Sequence, residues 1–561
     1  MNITDEQQAI VESPARNLVV NAFAGTGKTT TLVAYAKRRP GKRFTYLAFN
    51  RSIKEEAAKK FPANVKCVTT HGLAFGTFGK NYTSKLGTAR PFQVAEALNI
   101  SVLAAGKALE IVGRFLVSAD PALHERHMVG TPYGMNEQGQ LFDAATRLWA
   151  RMQNISDAAV PMPHDGYLKL YQLSNPTIRS DIILFDECQD ANPVTTSLVL
   201  AQPADKVMVG DAHQSIYSFR GAVNAMTAVR DAATLDLTKS FRFGPGVAEV
   251  ATALLQDWKG ERREIEGMGK HQTQFSVDFR APHARLARTN GELFRSAVDA
   301  LEEGRKFGYA GGVEGYRLDT ILDAYRLYSG NRGDIRDPWI RAFDSFLAMR
   351  DYADQMDDKE LKMLAGIADE YRNAIPSLVE QIKGRAVPPA QLTGKEIILA
   401  TVHKAKGLEF DSVALLNDFS DLEVKKGEKG EEVLPDPEEI NILYVAVTRA
   451  ERCLSLNDKT LDWLSATGRS GMLKRSAKPG KARREESVIR PVEEGALTPK
   501  SGSSEFNAGL LRGLEILFYA KNRREAASKI VADGGSANLI DVARAAGRGD
   551  LEKMLTDLAV K

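Results

Sequence analysis

Short apolar runs alternate with longer amphipathic stretches along this chain. "NLVV", "FTYLAF", "VKCVTT", "DIILFDE" and "KVMVGD" fall before about residue 235; "EIILATV" and "SVALLND" follow about residue 390. Runs of four to six buried-type residues separated by helical periodicity predict parallel strands joined through helices. Two clusters of such runs predict two sheets. The pattern turns helical within the first cluster, over Gly72 to Pro176, and ahead of the second, over 291–390, as in "QVAEALNISVLAAGKALEIVGRFL" and "DPWIRAFDSFLAMRDYADQM". The expected fold is therefore α/β, with two parallel-sheet lobes each carrying a mainly helical insertion. "EVKKGEKGEE" at 423–432 reads as a solvated loop. The stretch from 471 to 506, rich in charge, Ser, Gly and Pro, reads as a flexible basic linker. Residues 507–561 read as a short helical tail, a candidate site for a protein partner.

Composition changes this picture little. At 561 residues, 43% hydrophobic and 26% charged, the chain has room for several globular domains. A net charge of +3 means that any surface for a polyanion must be local. No apolar run approaches the ~20 residues of a membrane span, so no membrane partner is expected, and "MNITDEQQAI" is unlike a secretory signal. The three cysteines, Cys67, Cys188 and Cys453, lie far apart. They suit a reducing, cytoplasmic setting rather than a metal cluster. "HERH", His124 to His127, reads as an exposed helix face or, less readily, half of a metal site.

The chemistry begins at "NLVVNAFAGTGKTTTLVAYAKRR", Asn17 to Arg39. A strand running through small residues into Gly27-Lys28-Thr29 and a helix is the pattern of a phosphate loop. In it, backbone N–H groups and a helix N-terminus face polyphosphate oxygens. Ala22 stands where the pattern asks for its first glycine, while Gly25 and Gly27 free the backbone around Thr26. Lys28 would meet the β and γ phosphates, and Thr29 would take a Mg²⁺ coordination position. "IILFDECQD" ends a buried strand on two carboxylates. Asp186 would hold Mg²⁺, and Glu187 would orient or deprotonate the attacking water. In "VGDAHQSIYSFRGA", Gln214 falls within reach of a γ-phosphate. Phe219, beside Arg220, is open to two readings: an exposed base-stacking platform or a core aromatic.

Taken together these motifs resemble a superfamily 1 DNA helicase of the UvrD/Rep class, with a likeness to the helicase core of the F-box DNA helicases. "ITDEQQAIV" resembles the Q motif, with Gln7 or Gln8 reading adenine. "YLAFNRSIKEEA" and "TTHGLAF" resemble motifs Ia and Ib, "DECQD" motif II and "GDAHQSIYSFRGA" motif III. "LTKSFRFGPGVAEVA", "ATVHKAKGLEFDSVAL" and "EEINILYVAVTRAERCL" resemble motifs IV, V and VI. The resemblance spans Ile3 to Leu454.

It implies two RecA-like lobes with ATP and Mg²⁺ between them, moving 3′→5′ on single-stranded DNA and at duplex junctions. DNA repair, replication restart, plasmid or phage replication and defence all use such motors. Phe241 would stack on adenine, Glu409 would bind the ribose, and Arg242 and Arg449 would reach the γ-phosphate from the second lobe. Such fingers change hydrolysis by of order 10³–10⁵. Thr30 stands where many relatives carry an arginine against adenine. Phe49, His71, Phe219, His403 and Lys404 are the implied DNA contacts, with Lys406 as a weaker addition; structural roles stay open for both histidines. The implied division is 1–75 with 176–235 as lobe 1A, 76–175 as insertion 1B, 236–290 with 391–470 as lobe 2A, and 291–390 as a reduced insertion 2B. Because the Q-like segment begins at residue 3, no F-box-like segment is expected ahead of it, nor an appended nuclease behind. Two rivals accompany this reading. A DNA-activated ATPase that senses or remodels protein–DNA complexes would use the same motifs, whereas a P-loop kinase or GTPase-like switch would not need paired fingers.

Overall fold

The computed structural model describes residues 3–128, 135–426 and 431–475. Strand β1 (Asn17–Ala22) lies in a first sheet with β2 (Phe44–Ala48), β3 (Val65–Thr69), β4 (Ile182–Phe185), β5 (Asp205–Gly210) and β6 (Ala233–Leu237), between β5 and β6. The order is β3-β2-β4-β5-β1-β6, and every pairing is parallel. β2, β4 and most of β5 are buried throughout, as expected of strands covered by helices on both faces. A short parallel pair, β7 (Lys239–Ser240) with β8 (Glu266–Gly267), follows.

The second sheet contains β9 (Ala284–Ala287), β10 (Phe307–Tyr309), β11 (Ile397–Thr401), β12 (Phe410–Leu415) and β15 (Ala450–Ser455), in the order β10-β11-β9-β12-β15 and again all parallel. Between its last two strands a hairpin, β13 (Lys425–Lys426) with β14 (Glu432–Val433), replaces the loop expected at 423–432.

Both sheets put their helical insertion in the same place. In each, the chain leaves the end of an edge strand, β3 or β10, and re-enters at an inner one. The first insertion packs its own core from helices Pro91–Leu98, Val102–Val117, Met135–Gln153 and His164–Leu173. The second builds on Leu318–Tyr328, Phe346–Gln355, Lys359–Tyr371 and Ile375–Arg385, and its core is continuous with Phe307, Tyr309, Ile397 and Leu399 of the sheet.

Three expectations shift. Helix Asn290–Glu302 and strand β10 belong to the second sheet, so its insertion starts after 309 rather than at 291. A three-residue strand, "FGY", is too short to register as an apolar run. His127 is buried in a 3₁₀ turn, with Nε2 3.0 Å from Asp120, not on an exposed helix face. The linker expected from 471 does not begin there, because Met472 and Leu473 pack on the second lobe's core. The remainder of that linker and the 507–561 tail lie outside the described residues. No helix among the described residues is long and apolar enough to cross a membrane.

Candidate functional site: a cleft between the lobes and an aromatic ledge beside it

The turn from β1 into helix Lys28–Lys37 lies at the floor of the cleft. Gly25 and Gly27 have φ of +75° and +79°, a region in which a Cβ is strained. Space is short as well: a Cβ on Gly25 would come 2.5 Å from Ser240 Oγ and 2.7 Å from Arg242 Cβ. The turn is thus shaped to let the second lobe's approach segment lie directly over it, and Phe241 N–H donates to Gly25 O at 2.9 Å. Thr26 is buried and closes the turn through Oγ1 to Phe23 O at 2.9 Å. Ala22 faces the sheet core, not the cleft. A cavity of about 360 Å³ opens above, lined by Gly25 to Thr30, Asp186, Glu187, Gln214, Arg242, Glu409 and Arg449.

The acidic end of β4 meets Lys28 here, with Nζ 3.4 Å from Glu187 Oε1. Burial alone would lower the Lys28 ammonium, but Glu187, Asp211 and Asp186 outweigh it and hold it above its usual range. Burial, and then the Glu187 charge, push Asp186 up; its Oδ2 accepts from Tyr46 Oη at 2.6 Å and its Oδ1 from Glu187 N–H at 2.9 Å. Glu187 also resists its own burial, but Lys28 and Lys406 keep it low. It is held at φ +50°, a left-handed backbone that costs a non-glycine residue roughly 1–3 kcal/mol and is characteristic of functional sites. Gln189 Nε2 donates to Glu187 Oε2 at 2.6 Å and fixes that carboxylate.

From the second lobe come the cations. Arg449 is 1% exposed and donates only to neutral oxygens: Val445 O at 2.9 Å, Leu408 O and Thr448 Oγ1 at 3.2 Å, and Gln214 Oε1 at 3.4 Å. No carboxylate among the described residues lies within ion-pair distance of it. Burial and then Arg242 lower its pKa to about 9, which leaves it cationic at neutral pH. A buried guanidinium that lines the cavity and donates only to neutral oxygens can take a charged acceptor such as a phosphate oxygen. Arg242 pairs with Glu409, 2.7 Å from Nη2 to Oε1, so these two residues expected at different parts of one ligand meet each other.

Gln7 is buried and donates from Nε2 to Thr26 O at 3.3 Å; its Nε2 and the Phe241 ring converge above Gly27. Gln8 instead faces Glu12 on the outside. Phe241 is 48% exposed, a flat apolar face at the cleft mouth. Thr29 and Thr30 line the cavity, Thr30 at its exposed rim.

Beside the cleft runs a series of rings. Phe49 stacks on Tyr217 at 5.3 Å and 18°, Tyr217 touches Phe219 at 6.1 Å, and Phe219 meets His403 edge-on at 5.6 Å. Phe219 is 70% exposed, which decides its open reading against the core. His403 is half-buried, with Nε2 3.0 Å from Ile216 O. His71 makes no ring contact with this series but shares a cavity with Phe49 and Tyr217 of it. It pairs with Asp165 of the first insertion at 3.1 Å and lines a second cavity of about 620 Å³ with Phe49, His164 and Asn192. Lys404 is exposed, its ammonium 5.7 Å above the Tyr316 ring.

Lys406 is the clearest departure from expectation. Its ammonium is buried at the lobe junction, bonded to Asp190 and, at 2.6 Å, to Gln214 O, so it ties the second lobe to the first instead of attracting phosphate from solvent. Sequence reasoning also passed over Tyr444, whose Oη donates to Asp211 Oδ2 at 3.0 Å and accepts Ala24 N–H at 3.1 Å. Its only signal was a tyrosine within the apolar run Ile442–Val447 of the helix Pro437–Val447.

The fold and the cleft define a two-lobed P-loop protein, RecA-like in both halves. Residues 6–220 match the AAA domain family, and residues 347–458 match the UvrD-like helicase C-terminal domain. F-box DNA helicase 1 of Gallus gallus is 33% identical over 513 residues, covering 83% of this chain and 50% of that protein. F-box DNA helicase protein 1 of Schizosaccharomyces pombe is 34% identical over 510 residues, covering 81% of this chain and 57% of its own length. ATP-dependent DNA helicase UvrD2 of Mycobacterium tuberculosis is 25% identical over 332 residues, 48% of this chain and 46% of that protein. The chain has a UvrD-like superfamily 1 helicase core. It spans about half the length of the curated relatives it matches.

Proposed function

We propose that this protein is an ATP-dependent DNA helicase that translocates 3′→5′ along single-stranded DNA. The observation that carries the reading is Arg449: a buried cation from one lobe, with no carboxylate among the described residues at ion-pair distance, lining the same cavity as the phosphate-loop lysine of the other. Hydrolysis at such a site depends on lobe closure, because half of its charge-stabilising groups come from each side.

Thr29 and Asp186 would hold Mg²⁺. The fit rests on Asp186, a buried carboxylate beside a second one, whose unfavourable charge a cation would relieve. When bound, the ion would supply charge neutralisation to the phosphates. The chain's own groups do the rest. Lys28 binds the β and γ phosphates, and Glu187, kept ionised and oriented by Gln189, takes a proton from the attacking water. Gln214 senses the γ-phosphate, while Arg242 and Arg449 stabilise charge that develops on transfer. To do so Arg242 must give up part of its pairing with Glu409, freeing that carboxylate for the ribose. Gln7 and Phe241 frame the adenine. Phe49, Phe219, His71, His403 and Lys404 contact DNA, the aromatic members by stacking.

Only three residues separate Ser215 from Phe219, so a shift of the Gln214 turn on phosphate loss moves the ledge. A strand-displacement assay with a 3′-tailed and a 5′-tailed duplex tests this function. ATP-dependent unwinding of the 3′-tailed substrate is expected. Hydrolysis without unwinding of either would leave a DNA-activated remodeller instead.

A further inference from the structure

A second polar chain crosses between the lobes behind the nucleotide cavity, and none of its members lines that cavity. His213, next to Gln214, has Nε2 3.0 Å from Glu261 Oε2. Glu261 follows the helix Pro245–Lys259 of the second lobe. Its Oε1 accepts from Arg262 N at 2.8 Å and from Arg263 N and Nε at 3.0 Å, so the carboxylate is anchored to its own loop. Arg263 then returns to the first lobe, donating from Nη1 to Asp236 Oδ1, which also accepts from Asn21 Nδ2 of β1 at 3.2 Å. The connection therefore crosses the lobe boundary twice.

His213 is mechanically confined. Its ring stacks on Phe23 at 6.0 Å and 18°, and meets Tyr444 edge-on at 6.1 Å. Its Nδ1 is buried without a hydrogen-bond partner, so Glu261 alone fixes the rotation of the ring from the polar side. The main chain of His213 belongs to the same 3₁₀ turn as Gln214, Ala212–Gln214, which Asp211 Oδ1 caps at His213 N. Rotating the imidazole therefore strains the turn that aims the Gln214 amide.

We propose that Glu261 is a positioning residue: when the second lobe docks, it sets His213 and through it the γ-phosphate-facing Gln214. The role rests on the ATPase reading above. It differs from ordinary interface packing because Glu261 has to act through one residue.

The test is a double-mutant cycle on the full chain, reading kcat and KM for ATP at saturating single-stranded DNA. Glu261→Ala is expected to lower kcat about tenfold, the scale of losing a hydrogen bond to a charged group, with KM for ATP within about twofold. Glu261→Gln, which keeps an acceptor oxygen for His213, should recover kcat to within about threefold of the parent. His213→Ala should lower kcat to a similar extent, and adding Glu261→Ala to it should cost nothing more, because the two act as one unit. Thermal unfolding of each variant shows that the lobes remain folded. Parental kcat in Glu261→Ala, losses that multiply in the double variant, or a rise in KM alone would overturn the proposal. Turnover that survives Lys28→Ala would overturn the site reading itself, a result distinct from each of these.

Discussion

The cleft and the ledge lie a few residues apart along one segment, Asp211 to Phe219, yet they are built on opposite principles. In the cleft, Lys28, Asp186, Arg449 and Lys406 are buried or nearly so; Lys28 is met by Glu187 of its own lobe, while Lys406 and Arg449 reach across to Asp190 and Gln214 of the other. On the ledge, Phe219 is largely in solvent, with the Tyr217 ring tilted against it and the His403 ring edge-on. Burial makes a charge strong and unforgiving, which suits chemistry that must switch off when the lobes part. An exposed ring gives a weak, sequence-tolerant hold of roughly 1–3 kcal/mol per base, which suits a grip that is released at each step.

If this contrast is real, changes in the cleft remove both turnover and movement. Lys28→Ala and Glu187→Gln should each lower ATP turnover by at least about 10³-fold. They should part in binding: Lys28→Ala weakens nucleotide affinity, while Glu187→Gln retains ATP, as a fluorescent nucleotide titration would read. Near-normal hydrolysis by either removes the assignment. Arg449→Ala should cost of order 10³ in turnover while leaving nucleotide binding far less affected. On the ledge the outcome divides. Phe219→Ala should keep DNA-stimulated turnover within about threefold at saturating DNA, yet slow unwinding at least tenfold, as expected from losing one stacked base per step. Parental unwinding per ATP would show that the ring is not a grip.

The smallest effect lies outside both regions and checks the scaffold below them. His283, at the entry to β9, donates from Nδ1 to Ala281 O at 2.9 Å and accepts from Arg285 Nε at 3.3 Å, an arrangement that only the neutral ring can make. Burial, aided by Arg285, lowers its pKa to about 4. Below an ordinary pKa near 6.5 the unfolded chain takes up the proton and the folded one does not, so stability is lost as pH falls from about 6.5 towards 4. At pH 5 this amounts to about 1–2 kcal/mol. Thermal unfolding of His283→Asn should show a shallower loss between pH 7 and pH 5 than the parent. Equal slopes would contradict the assignment.

Much of this was legible in the sequence, for a physical reason. A phosphate turn needs small residues in a fixed order, and a carboxylate pair at a strand end needs an apolar run before it, so Gly25 to Thr29 and Asp186–Glu187 announce themselves locally. Strands β1, β2, β4, β5, β11 and β12 did so too, as short runs dominated by apolar residues. What stayed hidden depends on contacts between distant segments. Lys406 carries the same local signature as a solvent lysine, and only the docking of Asp190, 216 residues earlier, buries it. Tyr444 shows only as a polar-tipped ring within an apolar helical run, and Glu261 has no local pattern at all. β10 escaped because three residues cannot establish a period.

The central claim is that the cleft hydrolyses ATP only when DNA and both lobes complete it. Steady-state ATP hydrolysis, with and without single-stranded DNA, in the parent and in Arg449→Ala, tests it most directly. The account predicts strong stimulation by DNA in the parent and its loss, at of order 10³ lower turnover, in the variant. Equal turnover with and without DNA, or an Arg449→Ala variant that DNA still stimulates to the parental rate, would contradict it.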